Sequence, residues 1–194
     1  TLPKARRAAQ DQSTVQATEK LKGNAETPVT YRYYQHTDQN FIAKYLFDQV
    51  LSLAGEGKRI YVASDSKTQL ETLANALRFE KKETLLITAD NSSFKDQRAF
   101  LDDPNAYLQT HKPQVVLVSP CVQSGVSIEV EHFDRCFGIY AGTVSPVVFQ
   151  QMLHRVRPQR EFDLALPPTT TQKQRALENP TALLVGAYTE HLLQ

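Results

Sequence analysis

The sequence predicts an α/β domain in which a parallel sheet is covered by helices on both faces. Three observations lead there. Short apolar runs rich in β-branched residues recur along the chain; VVLVS (115–119) is the clearest, and four such side chains in a row imply a strand buried on both faces. Stretches of helical periodicity, opened by capping residues, lie between the runs. The connections are short, which is how strand–helix–strand units return to one sheet.

Taken in order, residues 1–28 are rich in Lys, Arg, Gln, Thr and Ala and poor in large apolar side chains. They read as a linker or frayed N-terminal helical extension with no core of its own. After Pro28, Val29, Tyr31 and Tyr33 alternate with polar residues, a strand signal. Thr37 or Asp38 caps a helix carrying Phe41, Ile42, Tyr45, Leu46 and Leu53, and Gly55 and Gly57 end it. RIYVAS is the next strand, and Ser66 caps a helix whose apolar face is Leu70, Leu73, Ala74 and Leu77. The unit then repeats: TLLIT is a strand, and Ser93 caps a helix through Phe94, Phe100, Leu101 and Leu108, broken near Pro104. VVLVS and CFGIY are strands. Ser145 followed by Pro146 is a cap with proline at the first helical position, opening a helix expected to carry Gln151 and Arg155. EFDLAL is a last strand, so the domain spans 29–165. Residues 166–194 read as a C-terminal helical extension centred on TALLVGAYTEHLL.

With 22 basic and 21 acidic residues the formal net charge is +1, so no global basic field announces nucleic-acid binding; any such contact must be local. Two cysteines and five scattered histidines fit neither a disulfide framework nor a zinc site, so no metal ligands are assigned and a reducing, cytoplasmic setting is expected. No apolar run approaches the roughly 20 residues of a membrane span, and no secretory leader is recognisable. The chain opens at Thr1 and not Met, as expected of a piece of a larger protein.

In open parallel sheets ligands gather at the carboxyl ends of the strands, which directs attention to three loops. YVASDSKTQLETLANAL offers hydroxyls and helix-end N–H groups suited to a phosphate, although a capped helix after a strand has a purely structural explanation too. VVLVSPCVQSGVSIE runs a buried strand into small polar residues, where Gly125 permits close approach and Ser119, Ser124 and Ser127 supply donors without bulk. In SPVVFQQMLHRVRPQR, Gln151 and Arg155 are i and i+4 neighbours on a helix face, an amide beside a planar fork of donors that suits a phosphate or ribose. A basic helix end complementing the helix dipole explains the same residues structurally. His154 is expected to be neutral and to pack or cap.

Taken together, these segments match one pattern. Over about residues 30–165 the chain resembles the C-terminal RecA-like domain of superfamily 2 helicases. IYVASDSKTQ matches motif IV, VVLVSPCVQSGVSIE motif V, and FGIYAGTVSPVVFQQMLHRVR the approach to motif VI and the motif itself. SPCVQSGVSIE with a downstream HRVRP looks most like origin-binding and cyanobacterial plasmid-replication helicases.

The resemblance implies an ATP-dependent helicase or translocase acting in DNA (plasmid) replication. Motif VI would supply an arginine finger, Arg155 and Arg157, with Arg160 a third candidate. Gln151, Gly125 and Ser127 would face nucleotide. Ser64, Asp65 and Ser66, with Ser119, Pro120 and Gln123, would contact the nucleic-acid backbone. In the pattern Q-x-x-G-R-x-x-R, His154 stands at the glycine and Pro158 at the second arginine, so Arg157 comes one residue early; Ser127 stands where Asp is common. ATP and Mg²⁺ would be held mainly by an N-terminal RecA-like partner domain of the same protein, because the one candidate phosphate loop, SLAGEGKR, lacks the first glycine and the Ser/Thr and precedes a strand. The chain alone is therefore expected to be inactive. Its nucleic-acid partner is DNA, single-stranded or duplex, with RNA left open, and no membrane is involved. A second reading is a non-motor RecA-like or flavodoxin-like binding or scaffold module without ATPase activity. A third is a transferase using the Ser119–Gly125 loop for a phosphorylated small molecule.

Overall fold

A computed structural model describes residues 15–21, 29–35, 39–121 and 126–167. In chain order its elements are β1 (Val15–Leu21), β2 (Val29–Gln35), α1 (Gln39–Gly55), β3 (Ile60–Ser64), α2 (Lys67–Phe79), β4 (Thr84–Ile87), α3 (Lys95–Asp102), α4 (Pro104–His111), β5 (Val115–Val118), β6 (Arg135–Ile139), α5 (Pro146–Leu153) and β7 (Glu161–Leu166). One sheet holds all seven strands in the order β1-β2-β7-β6-β3-β5-β4. β2 to β7 run parallel, as the alternation of strands and helices predicts, and only β1 is antiparallel, against β2.

The strand alternation sorts the core into two layers. Ile60 and Val62 of β3, Val115 and Leu117 of β5, and Phe137 and Ile139 of β6 face α1 and α2. Tyr61, Ala63, Val116, Val118 and Cys136 point the other way, toward α3, α4 and α5. Both faces are thus buried, which is why these strands read as continuous apolar runs. Ser66 caps α2 and Ser145 caps α5, with Pro146 opening the latter.

Two sequence expectations change. The reading of 1–28 as linker or helical extension gives way at Val15–Leu21, a strand whose register runs from Val15 opposite Gln35 to Leu21 opposite Val29. VQATEKL carries no apolar alternation strong enough to announce a strand, so main-chain pairing with β2 defines it. The helix after β4 is capped by no side chain: its N-cap position is Phe94, not Ser93, and the break near Pro104 falls where Asp103 accepts from the Ala106 N–H and starts α4. Thr37, Asp38 and the extension after Pro167 lie outside the described residues.

A buried carboxylate ties the sheet together beyond its ladders. Asp163 of β7 meets Arg135 of β6 and accepts from Tyr34 of β2 at 3.0 Å, while Arg32 of β2 pairs with Glu161 at 2.5 Å. Burial and the neighbouring Asp163 push the Tyr34 hydroxyl up to about 12, so it stays a donor. An unpaired charge at this depth would be costly; two guanidinium groups and a phenol compensate it.

Candidate functional site

β3 and β6 are neighbours in the sheet, yet the helices that follow them, α2 and α5, lie on opposite faces. That divergence opens a crevice at the carboxyl edge, the usual ligand position in such sheets. At that edge a side chain of the chain itself is bound. Asp65, directly after β3, is buried and accepts from the backbone N–H groups of Ala141 (2.5 Å), Thr143 (2.6 Å) and Val144 (3.3 Å) in the loop after β6. The Thr143 hydroxyl donates back to the Asp65 carbonyl at 2.5 Å. Gly142, at φ +86°, supplies the left-handed turn that aims these donors at one carboxylate.

The predicted phosphate-facing turn is therefore split. Ser64 is fully buried and accepts from the Ser66 N–H at 3.1 Å, and Asp65 faces the β6 loop. Ser66 caps α2 and stands at the surface beside the exposed Lys67 and Thr68 of its first turn. Lys67, which also pairs with Asp90, went unremarked in the sequence; a basic residue at a helix start beside a strand end was the available signal. In the next loop Ser119 is buried with its hydroxyl toward Cys121 Sγ at 3.1 Å, and Pro120 is half-buried. Gln123, Ser124 and Gly125 lie outside the described residues.

The segment at Val126–Ile128 and the arginine segment are joined directly. Ile128 and Val156 form a parallel bridge: the Ile128 N–H donates to the Arg155 carbonyl at 2.8 Å, and the Arg157 N–H donates to the Ile128 carbonyl at 2.9 Å. Arg155 Nη1 donates to the Val126 carbonyl at 3.1 Å, and Arg157 Nε to Ser127 Oγ at 3.3 Å. Asn105 of α4 holds the same strip, donating to the Ser127 carbonyl at 3.1 Å and accepting from the N–H groups of Glu129 and Val130.

This arrangement corrects the helical pairing of Gln151 with Arg155. α5 ends at Leu153, His154 is its C-cap, and Arg155 lies beyond it. The bridge removes residues 155–157 from the helix by burying Val156 in the core, and Pro158 disfavours helical geometry at Arg157. Gln151 is exposed on the last turn, Arg155 is half-buried and Arg157 exposed. Arg160 donates to the carbonyls of Arg157 (2.8 Å) and Gln159 (3.3 Å), a loop-closing role.

His154 packs, as expected. Its imidazole Nε2 hydrogen-bonds the Tyr31 hydroxyl of β2, and its ring lies 5.2 Å from that of Phe162. Burial, reinforced by Arg157 and Arg160, lowers it to about 4, so it is neutral at pH 7. From the other side the Tyr61 hydroxyl donates to the Met152 carbonyl at 2.8 Å, tethering the last turn of α5 to β3.

Nothing among the described residues gathers three His, Cys, Asp or Glu side chains for a metal ion, and Ser52–Arg59 is a helix end and turn leading into β3. A shallow groove between Lys58–Arg59 and Glu131–Asp134 lies at the opposite, amino end of the strands, where the Arg59 N–H donates to Asp134 at 2.7 Å. No described helix is long and apolar enough to cross a membrane.

The fold is similar to the C-terminal part of the Fun30 ATPase domain, with a TM-score of 0.50 and 11% identity, covering 70% of this chain and 44% of that one. It is also similar to the DUF1998 helicase MrfA, solved bound to DNA, with a TM-score of 0.54 and 11% identity, covering 82% of this chain and 23% of that one. The chain thus spans less than half of either protein. No protein-family model matches the sequence, and no curated protein sequence does. The likeness establishes a helicase-type RecA-like fold.

Proposed function

We propose that this chain is the C-terminal RecA-like domain of an ATP-dependent nucleic-acid translocase, DNA replication being the setting its sequence suggests. The observation that carries the reading is the bridge between Ile128 and Val156, which brings two arginines onto the loop that follows β5. In such a motor one side of the domain follows nucleic acid while the arginines answer to nucleotide, and the bridge links the two without intervening flexible chain.

The two arginines divide the work. Arg155, half-buried and donating to the Val126 carbonyl, fixes the loop. Arg157 is exposed, and among the described residues its side chain is hydrogen-bonded through Nε, a placement that suits its terminal nitrogens to a phosphate. Neutralising charge on a transferring phosphoryl group is what an arginine finger supplies. Ser66 and Lys67 at the start of α2, with Pro120 after β5, are assigned to the nucleic-acid backbone, which such a motor reads without regard to base. Gly125 and Gln123 keep their assignments to nucleotide and nucleic acid by motif match alone, and Gln151 by its exposed place on α5. The chain has no phosphate loop and no described carboxylate cluster for Mg²⁺, so ATP and its metal are assigned to an N-terminal partner domain. Asp65, buried at the carboxyl edge between β3 and β6, is taken up by the chain's own loop.

In the full-length protein, Arg157→Ala should lower nucleic-acid-stimulated ATP turnover by about 10²-fold or more while leaving the melting temperature unchanged. Turnover within a factor of about three of the parent would remove Arg157 from the mechanism. The chain alone should show no micromolar heat of binding with ATP–Mg²⁺; such binding would favour the transferase.

A further inference from the structure

We infer that Tyr31 and His154 form a positioning pair that holds the arginine segment in register, so that β2 sets where Arg155 and Arg157 point. His154 stands where the helicase pattern has glycine, a position that otherwise carries no side chain. Here it carries an imidazole wedged between Tyr31 and Phe162, with ring centroids 6.0 and 5.2 Å away. Tyr31 is itself fixed: it is 3% exposed and stacks on Phe162 at 5.5 Å and on Tyr33 at 6.1 Å. The hydroxyl–imidazole bond therefore ends on a rigid aromatic platform spanning β2 and β7.

The bond sits at the exit of α5. His154 is the C-cap, its own N–H donates to the Gln150 carbonyl at 3.0 Å, and Arg155 follows it as the first residue beyond the helix. Beyond it the segment meets Val126–Ile128 through the Ile128 bridge and the two arginine contacts. The segment is thus held at one end by Tyr31 and at the other by the loop it serves. His154 touches no solvent-facing phosphate site; it acts through Arg155.

The consequence for activity rests on the helicase reading, whereas the positioning itself does not, and the test separates them. Tyr31→Phe removes one oxygen and keeps the ring stack; His154→Gln keeps a hydrogen-bonding partner; His154→Leu keeps bulk only. In this chain, the Nε–H signals of Arg155 and Arg157 are followed by ¹⁵N NMR. Tyr31→Phe and His154→Leu should shift both signals and speed their exchange with water, and His154→Gln should restore them toward the parent. Unmoved arginine signals in Tyr31→Phe, with the fold intact, overturn the pair. In the full-length protein the same series should lower stimulated kcat about tenfold with little change in KM for ATP. Arginine signals that move while kcat stays level would leave the positioning standing and sink the catalytic reading of the arginines.

Discussion

Gly138→Ala tests whether the packing that seats α5 is as tight as the structure shows. Gly138 lies in β6 under α5, and a Cβ built there would come within 2.7 Å of Leu164 Cδ2 and 2.9 Å of both Leu153 Cδ2 and Phe149 Cζ. Ordinary carbon contacts are about 3.5–4.0 Å, so each neighbour would have to retreat by roughly 0.6–0.8 Å. All three are fully buried, and none can yield into open space. Overpacking of this kind costs about 1–3 kcal/mol. Against it, replacing glycine within a strand restores about 0.5–1 kcal/mol of backbone entropy. Repulsion wins, for a net loss of about 1–2 kcal/mol. Urea unfolding of the chain should show a lower midpoint with an unchanged slope, since the surface exposed on unfolding is the same. A midpoint equal to or above the parent's would refute the reasoning, because the core would then have room beneath α5.

The remaining predictions concern the two polar anchors. Asp65→Ala strips the acceptor from three backbone N–H groups and should cost about 2–3 kcal/mol, less than full burial would give because the loop can hydrate. Hydrogen exchange at Ala141 and Thr143 should quicken; unchanged exchange would mean the carboxylate does not hold that loop. For His154, the groups facing it are Tyr31 from β2 and Arg157 and Arg160 from its own segment, with only the ring of Phe162 from β7. Its folded value of about 4 lies below the ordinary 6.5, so the unfolded chain takes up the proton first. The stabilising contribution is complete above pH 6.5 and is lost as pH falls toward 4. Between pH 7 and 4.5, His154→Gln should therefore lose about 2 kcal/mol less stability than the parent. The buried His132, also lowered by burial, titrates in both proteins and cancels from the difference. Parallel pH profiles would show that His154 does not remain neutral in the fold.

How much of this was legible in the sequence follows from where each interaction is made. β3 to β6 could be read because burial on both faces writes itself as an apolar run, and α2 and α5 because their caps are local. β1 could not, since an edge strand can be held by main-chain pairing, which leaves no mark in VQATEKL. Asp65 was assigned to nucleic acid from its place in a Ser-Asp-Ser turn, but its partners lie 76 to 79 residues later. The misfit was nevertheless visible in principle: a carboxylate repels a phosphate backbone, so an aspartate in such a turn calls for a donor elsewhere in the chain. The end of α5 was hidden for the same reason. No proline or glycine within QMLHRVR marks a helix end, and the partner that pairs with Val156, Ile128, lies 28 residues upstream.

That last point bears on the spacing of Arg155 and Arg157, which stand two apart where the helicase pattern has arginines three apart. On a helix, residues two apart point to nearly opposite sides, and Arg155 with Arg157 would make no functional pair. In a bridged segment alternate residues share a side, while the one between them points away. Val156 is that intervening residue, 3% exposed in the core. The arginines on either side of it reach back to adjacent residues, Arg155 to Val126 and Arg157 to Ser127. The spacing therefore fits the backbone that carries it. On a helix, residues three or four apart share a side, and in a bridged segment residues two apart do. Arg157 is in register for the structure this chain adopts, and Pro158, at the position where the helical pattern expects an arginine, is compatible with it because the helix has already ended at Leu153.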